Sequence, residues 1–137
     1  MAPQFSTPDT PAGPPASAGR ERILLVEDEE VVGRLACVVL TRNGYTVVDA
    51  NGPSEALEIA EQQPDSVDLI LADVMMPGMR GWEMVDRLRP LQPRARVLYM
   101  SGYVGELNSA PDKVRPLLQK PFKPRGLLQE IRRVLDS

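Results

Sequence analysis

The stretch Leu69-Ile70-Leu71-Ala72-Asp73-Val74-Met75-Met76-Pro77-Gly78-Met79-Arg80-Gly81 is an apolar run that stops at a single carboxylate, Asp73. A short apolar run followed by Pro-Gly turn chemistry is the pattern of a buried strand ending in a loop. Residues 67–72 are therefore expected to form a strand that delivers Asp73 where the chain leaves the core. An Asp in that place serves equally well as a turn former or as a helix cap. What else the chain brings to the same place decides between these roles.

Working outward, Ile23-Leu24-Leu25-Val26 is a second apolar run, and it ends at Glu27-Asp28-Glu29-Glu30. Val31, Val32, Leu35, Val38 and Val39 follow with the spacing of one helix face, expected to be the core face, and Asn43-Gly44 closes that helix. Residues 45–48 form another strand, and Pro53 opens a helix whose core side is Ala56, Leu57 and Ala60. Beyond the Pro77-Gly78 turn, Trp82, Val85 and Leu88 share a helical face with Met84 at its edge, until Pro90 and Pro93 end it. Residues 96–100 make a fourth strand, ending at Ser101-Gly102-Tyr103. Residues 104–110 allow only a meagre helix, since Gly105 and Asn108 weaken it and Pro111 bars its continuation. Leu117-Leu118-Gln119 is a brief fifth strand ending at Lys120-Pro121-Phe122. Leu127, Leu128, Ile131, Val134 and Leu135 then trace a closing amphipathic helix begun by Pro124.

Strands that are apolar throughout are buried on both faces, and their alternation with helices describes an α/β, doubly wound, five-stranded parallel sheet with helices on both faces. With right-handed crossovers, the flavodoxin-like order 2-1-3-4-5 places strands one and three beside the point where strand order reverses. Ligands of such sheets bind there, outside the carboxyl ends of the strands.

The bulk composition narrows the functions. A chain of 137 residues, 42% hydrophobic and 26% charged, is the size of one domain with one core. Residues 1–20, rich in Pro and Ala, are expected to be a disordered tail or linker, leaving 21–137 as the domain. A net charge of -3 offers no basic stripe for nucleic acid or for a membrane surface. The absence of histidine excludes Ser-His-Asp triads and histidine-zinc sites, and the lone Cys37 fits a small packed hydrophobe. With no apolar span of 18 residues, the expected location is cytoplasmic.

At the carboxyl edge, strand one ends in Glu27-Asp28, strand three in Asp73, strand four in Ser101 and strand five in Lys120. Carboxylates converging within a few ångströms repel by several kcal/mol per close pair at an effective dielectric near ~20, so they need a proton or a cation. Hard oxygen ligands without histidine or thiolate select Mg2+, with Mn2+ possible, over zinc. Lys120 adds an opposing point charge and Ser101 a hydroxyl donor, a set suited to phosphoryl oxygens, with Asp73 as a nucleophile forming an acyl phosphate. Glu29 and Glu30 fit the simpler role of acids facing a helix dipole.

Four segments, I-L-L-V-E-D-E-E, L-I-L-A-D-V-M-M-P-G-M-R-G, V-L-Y-M-S-G-Y and L-Q-K-P-F, in this order and at these intervals, strongly resemble the receiver domain of two-component response regulators. The resemblance implies that Asp73 accepts a phosphoryl group from the phosphohistidine of a sensor histidine kinase or histidine phosphotransfer protein. It further implies that Asp28, Asp73 and the backbone carbonyl of Met75 hold magnesium, with Glu27 acting through water. Ser101 would engage the phosphoryl group beside Lys120, and the Lys120-Pro121 bond would be cis.

Two positions depart from the family pattern. Leu117 stands where a switch aromatic is common, while Tyr103 follows Ser101 by two. This combination resembles receivers of hybrid sensor kinases, and Pro111 and Pro116 leave a monomer or weak dimer as the expectation. The other readings are a pseudo-receiver scaffold and an aspartyl-phosphate phosphohydrolase. Met75 opposes the latter, because it stands two after Asp73, where such an enzyme carries its general acid.

Overall fold

The computed structural model describes residues 19–102, 110–111 and 114–137. The tail expected at 1–20, apart from Gly19 and Arg20, the helix expected at 104–110, apart from Ala110, and Tyr103 all lie outside the described residues. The described chain runs β1 (Arg22–Val26), α1 (Glu30–Arg42), β2 (Thr46–Ala50), α2 (Pro53–Gln62), β3 (Leu69–Asp73), β4 (Met75–Met76), β5 (Met79–Arg80), α3 (Gly81–Leu88), β6 (Arg96–Ser101), β7 (Leu117–Gln119) and α4 (Pro124–Asp136). The main sheet has the order β2-β1-β3-β6-β7, and all its strand pairs are parallel. This is the expected 2-1-3-4-5 order, since β4 and β5 form a separate two-stranded ribbon.

Successive residues of a strand point to opposite faces, so a strand apolar throughout feeds two cores at once. Leu24, Val26, Ile70, Ala72, Val97 and Tyr99 pack against α2 and α3 through Ala56, Ala60, Met84, Val85 and Leu88. Their neighbours Ile23, Leu25, Leu69, Leu71, Leu98 and Met100 pack against α1 and α4 through Ala36, Leu40, Leu127 and Ile131. The register Ile23↔Leu69 and Leu69↔Arg96 aligns the three central strands, so that they end level with one another.

Two expectations need correction. The buried face of α1 is Gly33, Ala36, Val39 and Leu40, whereas Val31, Leu35 and Val38 are 81%, 43% and 43% exposed. The reason is steric: small residues bring the helix close to the sheet, and this helix is apolar around so much of its circumference that two stripes compete. The segment after Asp73 is also more ordered than a simple turn. Met75 pairs with Arg80 and Met76 with Met79, and Gly78 at φ +84° makes the reversal. Cys37, expected as a small buried hydrophobe, is only half-buried, at the edge of the α1–α4 core.

Far from the carboxyl edge, Gln92 is buried and ties α2 to β3. Its Oε1 accepts from Ser66 N (2.7 Å) and Val67 N (3.0 Å), and its Nε2 donates to the carbonyls of Ala60 (3.3 Å) and Gln63 (2.7 Å). At the start of β1, Arg132 of α4 donates to Glu21 at 2.7 Å and to Asp136 at 2.8 Å. The hydrogen bond from Arg132 holds the Glu21 carboxyl below the usual value of 4.5, against the opposing effect of burial. A depressed folded-state pKa contributes stability that is present above the unfolded value and is lost as pH falls through the folded one. Glu21→Gln should therefore lower the thermal midpoint at neutral pH, and the difference from the native chain should vanish as the pH is brought below that range. A gap that persists in acid would show that the carboxylate charge is not what stabilises this corner.

Candidate functional site

The level strand ends put the polar residues side by side. Asp73 is the last residue of β3 and pairs with Met100, so Ser101 lies one step further along the neighbouring strand. Ser101 in turn pairs with Gln119, and the Lys120 backbone N–H donates to the Ser101 carbonyl at 2.7 Å. The Val74 N–H donates to the Met100 carbonyl at 2.8 Å, which continues the ladder past Asp73. Glu27, Asp73, Ser101 and Lys120 are all buried at this edge.

The Lys120 ammonium is the centre of the site. Nζ donates to Glu27 Oε1 at 3.2 Å, to Glu29 Oε1 at 3.0 Å and to Asp73 Oδ2 at 3.1 Å. Asp73 Oδ1 accepts from the Met75 N–H at 3.3 Å, and Glu27 Oε2 accepts from the Glu29 N–H at 3.1 Å. Glu27, Glu29 and Asp73 each offer one oxygen, all within 4.8 Å of one another, a group that could hold a metal ion.

Electrostatics follow from this crowding. Burial and the neighbouring Asp73 push the Glu27 carboxyl well above the usual range. Burial raises Asp73 as well, although its hydrogen bonds to Glu27 and Lys120 and the Lys120 charge oppose that rise. Burial alone would lower the Lys120 ammonium, but Glu29, Asp73 and Glu27 outweigh it and keep it firmly protonated. Three carboxylates against one ammonium leave two negative charges, so the pocket favours a proton on Glu27 or a cation among the oxygens.

The structure thus brings together Glu27, Asp73 and Lys120, with Ser101 on the adjoining strand. Asp28 is exposed and lies outside the group of three carboxylates. Glu29 takes that place, although its sequence position pointed only to a helix end. Sequence position alone did not show this: after a bend at Asp28, the Glu29 N–H donates to Glu27 Oε2 at 3.1 Å, and this local turn leaves Glu29 on Lys120 and Asp28 exposed. The expected cis bond at Lys120-Pro121 is present, and Arg115-Pro116 is cis too. Leu117, at the expected switch position, is half-buried and pairs with Tyr99.

Gly81 is a second residue whose role was not foreseen. Its N–H donates to the Val74 carbonyl at 2.8 Å, and a Cβ there would strike the Asp73 carbonyl oxygen. The start of α3 therefore lies directly on the backbone of Asp73.

The family model for the response regulator receiver domain matches residues 23–132. The chain is 34% identical over 123 residues to the sensor kinase CckA of Brucella abortus, a match covering 88% of this chain and 13% of that protein. It is 33% identical over 118 residues to the response regulator receiver protein CpdR of the same organism, covering 84% of this chain and 97% of that one. Against the crystal structure of the receiver domain from hybrid histidine kinase CckA the TM-score is 0.73, with 34% identity over 83% of this chain and 98% of the other. The chain thus spans a small part of CckA and about half, 51%, of the Bacillus subtilis transcriptional regulatory protein YbdJ.

Because backbone cannot yield as a flexible side chain does, Gly81→Ala should displace Asp73 or the start of α3, at about 1–3 kcal/mol, the usual cost of overpacking. The amide resonances of Asp73 and Val74 should move with the drop in stability. Unchanged resonances at both would show that the contact is not tight.

Proposed function

The chain belongs to the response regulator receiver domain family, and from that premise we propose that Asp73 is its phosphoacceptor, loaded by the phosphohistidine of a sensor histidine kinase or histidine phosphotransfer protein. The observation that carries this reading is the gathering of Glu27, Glu29 and Asp73 on Lys120 at the ends of the central strands. An Asp73 oxygen attacks phosphorus, the O–P bond forms as the N–P bond breaks, and the imidazole leaves with its electron pair and takes up a proton. Lys120, already on Asp73, follows the charge onto a phosphoryl oxygen, and the Ser101 hydroxyl donates to another.

The gathered carboxylates of Glu27, Glu29 and Asp73 fit a hard divalent cation, since they offer oxygen ligands and carry excess negative charge over Lys120. Magnesium, or manganese, would be held by Asp73 and the Met75 carbonyl, with Glu27 acting through water and with Asp28, exposed and outside the three gathered carboxylates here, completing the set once it turns toward Asp73. When bound, it would neutralise the phosphoryl oxygens during transfer. The Met75 N–H bond to Asp73 supports this placement, because it keeps that residue's backbone beside the nucleophile. The acyl phosphate is made and lost on the chain itself, without turnover of a separate substrate, and shifts the population of two conformations.

Among the described residues no helix is long and apolar enough to cross a membrane, and we place the relay in the cytoplasm, with the chain a monomer or weak dimer. The donor's docking face is the exposed stripe Val31, Leu35 and Val38. A cavity of about 370 Å³ lies along it, lined also by Glu30 and Arg34. A second cavity of about 300 Å³ runs from Val38 to Glu27, one of the three acids on Lys120. A protein seated on it would have its reactive imidazole close to Asp73.

Trp82 is the residue after Gly81 and is packed against the α2–α3 core, so it should report events at Asp73. Acetyl phosphate or beryllofluoride with magnesium should change Trp82 fluorescence, and Asp73→Asn should abolish the change; identical behaviour of the two chains would refute the phosphoacceptor assignment. Leu35→Ser should slow transfer from a phosphohistidine protein by about tenfold, the worth of a modest apolar contact, while leaving the acetyl phosphate rate unchanged. Equal slowing with both donors would remove the stripe from the interface.

A further inference from the structure

We propose that Glu29 is a positioning residue for Lys120: its carboxylate holds the ammonium in the unphosphorylated pocket and competes for it with an incoming phosphoryl group. The proposal rests on the phosphoacceptor reading of Asp73 and adds a regulator of the same site.

The three acids on Lys120 are not equivalent. The side chains of Glu27 and Asp73 are 0% and 4% exposed, whereas that of Glu29 is 62% exposed, yet Glu29 makes the shortest contact at 3.0 Å. The two buried acids are also fixed from their other oxygens, Glu27 by the Glu29 N–H and Asp73 by the Met75 N–H. Glu29 alone can leave at low cost, because its carboxylate is rehydrated as soon as it lets go. It stands at the N-terminal boundary of α1, with its backbone bound to Glu27, so its side chain reaches Lys120 from the solvent side.

A phosphoryl group on Asp73 needs the ammonium as its counter-charge, and Lys120 has few ways to reorient while three acceptors engage its three N–H bonds. Glu29 is the acceptor that gives way. It keeps Lys120 directed into the acid group before transfer, and the strength of its hold sets how readily the ammonium passes to the phosphoryl oxygens.

The test compares the full chain with Glu29→Gln and Glu29→Asp. The Asp variant keeps the charge but is one methylene too short to reach Lys120. Three quantities are read: solvent exchange of the Lys120 ammonium hydrogens by nitrogen-15 NMR without phosphoryl donor, the rate of acyl phosphate formation from acetyl phosphate, and the magnesium half-saturation point from Trp82 fluorescence. Both variants should exchange faster and react about two- to fivefold faster, the range expected for an exposed ion pair. If Glu29→Asp matches the wild type while Glu29→Gln reacts faster, only the charge matters and the positioning role is overturned. Magnesium binding that weakens in both variants without faster ammonium exchange would make Glu29 a metal ligand instead and overturn the positioning role. Unchanged ammonium exchange in both variants would overturn the contact itself. That exchange needs no donor, so a wild-type chain that never forms acyl phosphate would refute the phosphoacceptor reading separately.

Discussion

One buried ammonium makes the whole arrangement possible. Glu27 and Asp73 are almost wholly removed from water and lie close enough to repel one another by on the order of 3 kcal/mol at an effective dielectric near ~20. Lys120 lies within hydrogen-bond distance of both and compensates part of that cost. The remaining imbalance raises the Glu27 carboxyl and leaves the pocket drawn to cations. The site is therefore under electrostatic tension in its resting form.

The sheet is built to keep that tension in place. Because the central strands are apolar on both faces, their register is fixed by two cores at once, and a slip of one residue would turn core side chains from one core to the other. The level strand ends then define where Asp73, Ser101 and Lys120 can be. Gly81 extends this control to the backbone, since the first turn of α3 touches the carbonyl of Asp73. A movement at Asp73 therefore has a short mechanical route into α3 and to Trp82.

Most of the fold could be read from the chain because buried parallel strands are continuous apolar runs, and five of them end in recognisable polar or turn residues. Asp73, Glu27 and Ser101 were legible for the same reason, each being the first polar residue after such a run, and Lys120 follows its run after Gln119. The face of α1 was not. Its interior contact is made by Gly33 and Ala36, whose small side chains carry little hydrophobic signal, while the more conspicuous Val31 and Leu35 face outward. Glu29 was hidden by its neighbours, since in a run of four acids only the local turn, a bend at Asp28 closed by the Glu29 N–H on Glu27, decides which side each takes. The β4–β5 ribbon escaped notice because two-residue strands have no periodicity to detect.

The partners of Lys120 lie far from it along the chain, Asp73 at a separation of 47 residues and Glu27 at 93. As the polypeptide leaves the ribosome, the acids emerge long before the base that reconciles them. Until the last strand is in place the carboxyl edge is an assembly of like charges, and only α4 remains to be added once Lys120 has arrived. A chain that ended before β7 would lack the one ammonium that reconciles Glu27 with Asp73, so the charge balance of this edge depends on a residue near the far end of the sheet's sequence.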